Sequence, residues 1–395
     1  MHAAAYTRRL SPLRVTTLLV GTLSLAGCGG GGGGGGTTGP ETGSLSVTTA
    51  TTGQSLDPDG YTVTVDGGQA TSIGTNDSKA FASLSVGSHE VQLAGVRGNC
   101  AVGGDDPRSV SIDAGARTGT LFDVTCQHAL VDQIAFSTTR DGNIEVYVMN
   151  PDGSDPVDLS NDPSSDGSPA ISPDGTKVAF VTYRDGNNEI YVMNADGSDP
   201  VDVTNDGAAD LDPAWSPDGS KIAFATDRDG NLEVYVMNAD GSNPVRLTHN
   251  SANDRWPAWS PDGSQIAFTS SRPGNDDIYV MDASGSDPVD LTDNPAEDTD
   301  PAWSPDGTQL AFATNRDGNL EVYVMNADGT SPVRLTHGSG VEVGPTWSPD
   351  GSRIAFQGDK NGVADIWVMD ADGSNQVDIT LTSASESGPA WSPVQ

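Results

Sequence analysis

One apolar triplet recurs along the C-terminal two-thirds of this chain at a fixed step, and that step constrains the fold more than any other feature. It stands at Ile134-Ala135-Phe136, Val178-Ala179-Phe180, Ile222-Ala223-Phe224, Ile266-Ala267-Phe268, Leu310-Ala311-Phe312 and Ile354-Ala355-Phe356, each 44 residues after the last. A repeat of that length is one supersecondary unit that buries its apolar face only by stacking on copies of itself. The unit over 212–248 reads as four short strands. Strand A, Pro213-Ala214-Trp215-Ser216, turns through Pro217-Asp218-Gly219-Ser220 into strand B, Lys221 to Thr226. An Asp229-Gly230 hairpin leads to strand C, Glu233 to Asn238, and a further turn leads to strand D, Pro244 to Thr248. Four antiparallel strands in about 44 residues make one propeller blade.

The ends of the repeat are out of phase. The region opens on a B strand, Gln133 to Thr138, and closes on an A strand, Pro389-Ala390-Trp391-Ser392. A closed ring explains the offset: the last segment supplies the inner strand that the first unit lacks, and no sheet is left open at the seam. The expected fold is therefore all-β, a six-bladed propeller over 132–395. Its W-S-P-D-G turn, I-A-F strand and Y-V-M strand resemble the TolB-type β-propeller repeat. That resemblance implies a periplasmic propeller used for protein–protein contact. One departure stands out: the α/β domain that precedes the propeller in TolB has no counterpart here, which puts a Tol-Pal role in question. The hydrolase domain of propeller-bearing prolyl oligopeptidases has no counterpart either.

Residues 44–127 take the place of that α/β domain. Period-2 segments such as Tyr61-Thr62-Val63-Thr64-Val65 and His89-Glu90-Val91-Gln92-Leu93, separated by Asp/Gly turns, predict a small β-sandwich. The stretch Leu84-Ser85-Val86-Gly87-Ser88-His89-Glu90-Val91 resembles PEGA-type surface domains. Ahead of it, Arg8, Arg9 and Arg14 precede a short apolar run ending Leu25-Ala26-Gly27-Cys28. This reads as an export signal over 1–27. It resembles a lipobox, which implies lipidation of Cys28, attachment to the outer membrane on its periplasmic or surface side, and no other membrane contact. Residues 28–43, with the run Gly29 to Gly36, form a flexible tether. The remaining pair, Cys100 and Cys126, is expected to form a disulfide in an oxidising compartment.

The formal net charge is -36. Such a surface repels phosphate backbones, so nucleic acid is excluded as a partner, while a basic protein or a divalent cation is attracted. Aligned blades place three charged columns on the face of the B–C turns and D–A loops. The first holds Asp166, Asp210, Asp254, Asp298, Glu342 and Glu386; the second, Arg140, Arg184, Arg228, Arg272, Arg316 and Lys360. The third opens strand C at Glu145, Glu189, Glu233, Asp277, Glu321 and Asp365. They are expected to form ion pairs between blades; the sharper alternative is an acidic ring at the channel mouth that holds calcium. The segment Asp227-Arg228-Asp229-Gly230-Asn231-Leu232-Glu233 has a faint calcium-loop spacing.

Residues that break the repeat carry more information about function than those that keep it. Trp256, with Arg255 beside it, stands where other blades have Ser168, Asp212, Asp300, Gly344 and Gly388. His249 and His337 follow two of the D strands. Trp256, Arg255, His249 and His337 are the candidate partner-binding residues, Trp and Arg being the types enriched at interface hot spots. The alternative for Trp256 is packing between blades. No catalytic motif is present, and no cofactor other than calcium is suggested. The expected molecule is a monomeric, non-catalytic envelope lipoprotein whose propeller binds a protein or ligand. The alternatives are a metal-dependent glycan- or peptide-processing enzyme and a structural spacer.

Overall fold

The computed structural model describes residues 41–56, 60–272, 274–359 and 362–393. The export signal, Cys28 and the glycine run lie outside them. Every regular element among the described residues is a strand, and the strands form eight four-stranded sheets.

The first eight strands are β1 (Thr42–Gly53), β2 (Tyr61–Val65), β3 (Thr71–Ile73), β4 (Ser78–Ser85), β5 (Gly87–Ala94), β6 (Cys100–Val102), β7 (Arg108–Ile112) and β8 (Arg117–Cys126). They build two sheets, ordered β4-β1-β8-β6 and β3-β2-β5-β7. Alternation in β1 turns Leu45 and Val47 inward against Val63, Val91, Ile112 and Phe122, all completely buried. Cys100 pairs opposite Cys126 in the β6–β8 ladder, and the two are joined as a disulfide. A bond closing a loop of 26 residues stabilises a small sandwich by about 3–4 kcal/mol in the chain-entropy model.

The remaining six sheets are the blades. Blade 3 is typical: A (Asp210–Trp215), B (Lys221–Thr226), C (Glu233–Asn238) and D (Val245–Arg246). Strand A is longer than its apolar residues suggest, because it starts at the acid of the first charged column. The Phe of each triplet is fully buried and sits about 6 Å from the aromatic ring of its own strand C, as in Phe224–Tyr235 at 5.9 Å. The recurring Trp packs across to the preceding blade: Trp215 lies against the cluster of Ala179 and Ile190, and its Nε1 donates to Ala170 O at 3.1 Å.

The ring closes as the phase of the ends demands. Glu386–Trp391 is the A strand of blade 1 and pairs antiparallel with the B strand Ile134–Thr138, Trp391 opposite Ile134. Blade 1 also packs on blade 6, with Phe136 and Met149 in one cluster with Ile366 and Ile379. The C–D turn glycines show how tightly neighbours approach. Gly153 has φ +82°, and a Cβ there would fall 1.9 Å from Ile379 O of blade 6.

On the outside, each D strand is two residues long and begins with a Val that is 52–58% exposed. Pro156, Pro200, Pro244, Pro288 and Pro332 precede five of these valines; Gln376 precedes the sixth. Leu159 N–H donates inward to Val146 O, so by alternation the backbone N–H of Val157 also faces inward, and the outward position beside it is residue 156, a proline with no N–H to offer. The sandwich meets the A–B/C–D side of the ring, where Leu130 N–H donates to Gly175 O at 2.9 Å. A cleft of about 730 Å³ lies there, between Arg97-Gly98 and the turns of blades 2 and 3. The B–C/D–A side faces away from that contact.

Candidate functional site

The acids of the first column are wholly buried, and they do not line the channel. Five of the six pair with the cation of their own blade, not of a neighbour: Asp166 with Arg184 at 3.1 Å, and Asp210 with Arg228, Asp254 with Arg272 and Asp298 with Arg316 at 2.9 Å each. Glu386 pairs with Arg140 at 3.3 Å across the closing seam, also within one blade. The expected pairing between blades is therefore corrected to pairing within them. The reason is geometric: the start of strand A and the end of strand B are adjacent in one ladder, Asp210 opposite Thr226, so the turn after B brings its Arg back over the acid. Each guanidinium also lies over two rings, as Arg228 does over Phe224 and Tyr235 at 5.4 and 4.9 Å. Burial pushes Asp166 up to about 6 and raises Asp210 and Glu386, against the pull of their Arg partners. Lys360, the partner expected for Glu342, lies outside the described residues.

The third column is likewise built into the blades. Glu189 Oε2 accepts from Thr204 Oγ1 at 2.6 Å, and that same Oγ1 accepts from Ile190 N–H at 3.0 Å. The acid thus fastens the end of strand D to strand C. In blades 3 and 5 the D strand adds an Arg: Arg246 pairs with Glu233 and Asp229, Arg334 with Glu321 and Asp317. Among the described residues one set of three carboxylates, Glu189, Asp206 and Asp210, brings ligand atoms within 4.8 Å of one another. Arg228 Nη2 already lies 3.0 Å from Asp206 and 2.9 Å from Asp210, so a cation is in place. In the calcium-like segment, Asp227 accepts from Ala209 N–H, and Asp229 is taken by the Tyr235 hydroxyl and Arg246. Hairpin chemistry uses that spacing.

The channel mouth belongs to a different column, the residue just before the strand-A Pro. Ser168, Asp212, Trp256, Asp300, Gly344 and Gly388, each with its Pro, line a pocket of about 210 Å³. All six have positive φ, between +49° and +60°. Each sits in a bulge that breaks the A–B register, for example between Arg255 and Ala258. A bulge re-aims its side chain out of the ladder, here into the channel. Gly and, to a lesser degree, Asp accept the left-handed region; a bulky Trp there, at +49°, is an outlier and carries strain. Packing of Trp256 between blades is thus corrected: its ring is a wall of the mouth.

Arg255 is brought to it. Its Nη2 lies 3.2 Å from Asp276 Oδ2, and its guanidinium carbon stands 4.1 Å from the Trp256 ring centroid. The flanking carboxylates both sit high, Asp212 at about 7 and Asp300 at about 6. Loss of solvation dominates both; Asp300 raises Asp212 further, while the Trp256 N–H that Asp212 accepts, and after it Arg255, lower it; the Thr299 hydroxyl, the Gly344 N–H and Arg255 lower Asp300, and Asp276 raises it. His249 and His337 are exposed in D–A loops and do not join the pocket. Sequence reasoning missed the role of Asp212 and Asp300. The glycines at 344 and 388 were the signal, since they fill the same column and need no side chain in the left-handed region.

The wider face carries apolar groups: Ile144 and Tyr183 on B–C turns, Val341 and Leu381 on D–A loops, the last 79% exposed. In the larger cleft under the sandwich the turn carboxylates are already occupied: Asp174 accepts from Ser172 and Thr176, Asp218 from Ser216 and Ser220.

Comparison with known proteins agrees with this architecture. The TolB beta propeller domain family matches residues 131–213, 203–299 and 290–395. The chain is similar in fold to TolB from Acinetobacter baumannii, at 20% identity and a TM-score of 0.60, over 78% of this chain and 80% of that one. It is similar to a putative TolB from Agrobacterium tumefaciens, at 23% identity and a TM-score of 0.55, over 66% and 99%. A chain of a nidogen/laminin complex is similar at 16% identity and a TM-score of 0.55, over 67% and 99%. None of the curated proteins matches it in sequence. Six blades in register and a family match running from 131 to 395 place the chain in the TolB β-propeller domain family.

Proposed function

We propose that this chain is a non-catalytic protein of the bacterial envelope that docks a protein partner on the B–C/D–A face, centred on the channel mouth. The observation that carries the reading is Trp256: a strained indole, clamped under Arg255, on the face that the sandwich leaves open. A rigid aromatic on a face that also exposes apolar Ile144, Tyr183 and Leu381 has the composition of an interface. The charged columns of the same face are consumed by ion pairs and hydrogen bonds within blades, which supports a scaffold over an active site. Affinity capture from the native envelope tests the reading. With Trp256→Gly plus Arg255→Ala, recovery of the partner is expected to fall at least about tenfold, while thermal stability stays within about 1 kcal/mol because glycine relieves the backbone strain. Undiminished capture overturns it.

The location rests on the lipobox-like Leu25-Ala26-Gly27-Cys28, with Cys28 as the acylated residue and residues 28–43 as the tether to an outer-membrane anchor. Metabolic labelling with an alkynyl fatty acid is expected to mark the native chain and to be lost in Cys28→Ser. Equal labelling of both excludes an anchor at Cys28.

A further inference from the structure

The pocket at the channel mouth is lopsided. Blades 3, 4 and 5 contribute Asp212, Trp256 and Asp300 in sequence round the ring, whereas the opposite half is Gly344, Gly388 and Ser168. One wall is therefore acidic and aromatic, and the other half is left as space. The charges nearby do not balance. Asp212, Asp300 and Asp276 bring three carboxyl groups against one cation, Arg255, which already lies 3.2 Å from Asp276; a second cation entering the pocket would favour the ionised form of Asp212 and Asp300. An indole wall favours a cation as well.

At about 210 Å³ the space is smaller than the roughly 300–1,000 Å³ of a metabolite site, and it suits a single side chain. A divalent ion seeks about six to eight oxygen ligands, and the lining offers two carboxylates on opposite sides of an indole. A guanidinium prefers one carboxylate gripped two-fold, as a planar fork. An ammonium is a compact charge whose three donors diverge, so it can reach two separated carboxylates together. We propose that the pocket takes the ammonium group of a lysine side chain presented by a docked protein segment, with Asp212 and Asp300 as its acceptors and Trp256 as the wall beside it. This deepens the docking reading and rests on it. The net charge of the whole chain, -36, draws a basic segment toward the molecule.

The test needs no partner. The full chain is titrated, by calorimetry and by NMR of its indole N–H signals, with N-acetyl-lysine methylamide, its norleucine and arginine analogues, and calcium chloride. The lysine probe is expected to bind and to shift one indole signal, assigned to Trp256 by its loss in Trp256→Gly. The norleucine analogue is expected to do neither, and the arginine analogue to bind at least about fivefold more weakly. Asp212→Asn plus Asp300→Asn, which keeps residues tolerant of positive φ at both positions, is expected to weaken the lysine probe at least about tenfold with an unchanged melting curve. If that double variant melts early, each single variant is used and must weaken binding by itself. Equal binding of lysine and norleucine probes, no binding of either, indifference to the Asn variants, or calcium binding that shuts out the lysine probe each overturns the proposal. Those results leave the docking face standing, because capture tests it separately.

Discussion

Among single side chains, His89 couples the sandwich to pH. Its two ring nitrogens face acceptors, Asp66 Oδ2 at 2.6 Å and Ser85 O at 2.8 Å, so both bonds are made together only by the protonated, positively charged ring. The Ser85 carbonyl, and after it Asp66, hold the imidazole above its ordinary 6.5; the Glu90 N–H, and after it His89, hold Asp66 below 3.8. The charged ring is favoured by folding. Its contribution is complete below pH 6.5 and is lost as pH rises through the higher folded value. The Asp66 contribution runs the other way: it is present above 3.8 and is lost as pH falls through the lowered folded value. Melting of the sandwich followed from about pH 6 to about pH 9 should show a decline that His89→Gln lacks. A His89 value at or below 6.5 by NMR titration contradicts this account. His89 lies in β5, and its partner is 23 residues away in sequence. Nothing in the local pattern announces that pairing, which the β2–β5 ladder creates.

At the scale of elements, the closing strand is the one on which the others depend. Glu386–Trp391 covers the B strand of blade 1, and its Ser392 Oγ accepts from Gln133 N–H at 2.8 Å, joining residues 259 apart. Without it, Ile134 and Phe136, both wholly buried, lose one side of their cover. Deletion of residues 386–395 is expected to lower the melting temperature by more than about 10 °C, at roughly 2–4 °C per kcal/mol. A truncated chain that melts with the full-length protein refutes ring closure by this strand. This element was legible in the sequence because the 44-residue step and the phase of the two ends are sums over many residues. The bulge in each A strand was not. It depends on one residue per blade taking positive φ ahead of a proline, where extended backbone is the ordinary expectation. Missing it put the wrong column at the channel mouth, and put the buried acids there in place of Asp212 and Asp300.

For the molecule as a whole, the repeat spends its charge on construction, and the channel mouth is where it varies. Five described Arg–acid pairs recur with nearly the same geometry, whereas the Arg255–Trp256 contact occurs once. A sequence reading separates these two classes through what repeats and what does not, and on that basis it singled out Trp256 and Arg255, which stand together at the channel mouth. It also drew in His249 and His337, because variation by itself does not say whether a loop points at the axis or away from it.

The rim carries a last consequence. A ring with six outward-facing strands could bridge to six others of its kind, and particles with that many contacts set into a gel. Here proline removes a donor beside five of the exposed valines, each strand stops after two residues, and the next position is Asp or Arg. So fine an interruption costs the blade little, and it lets many copies crowd together as separate particles.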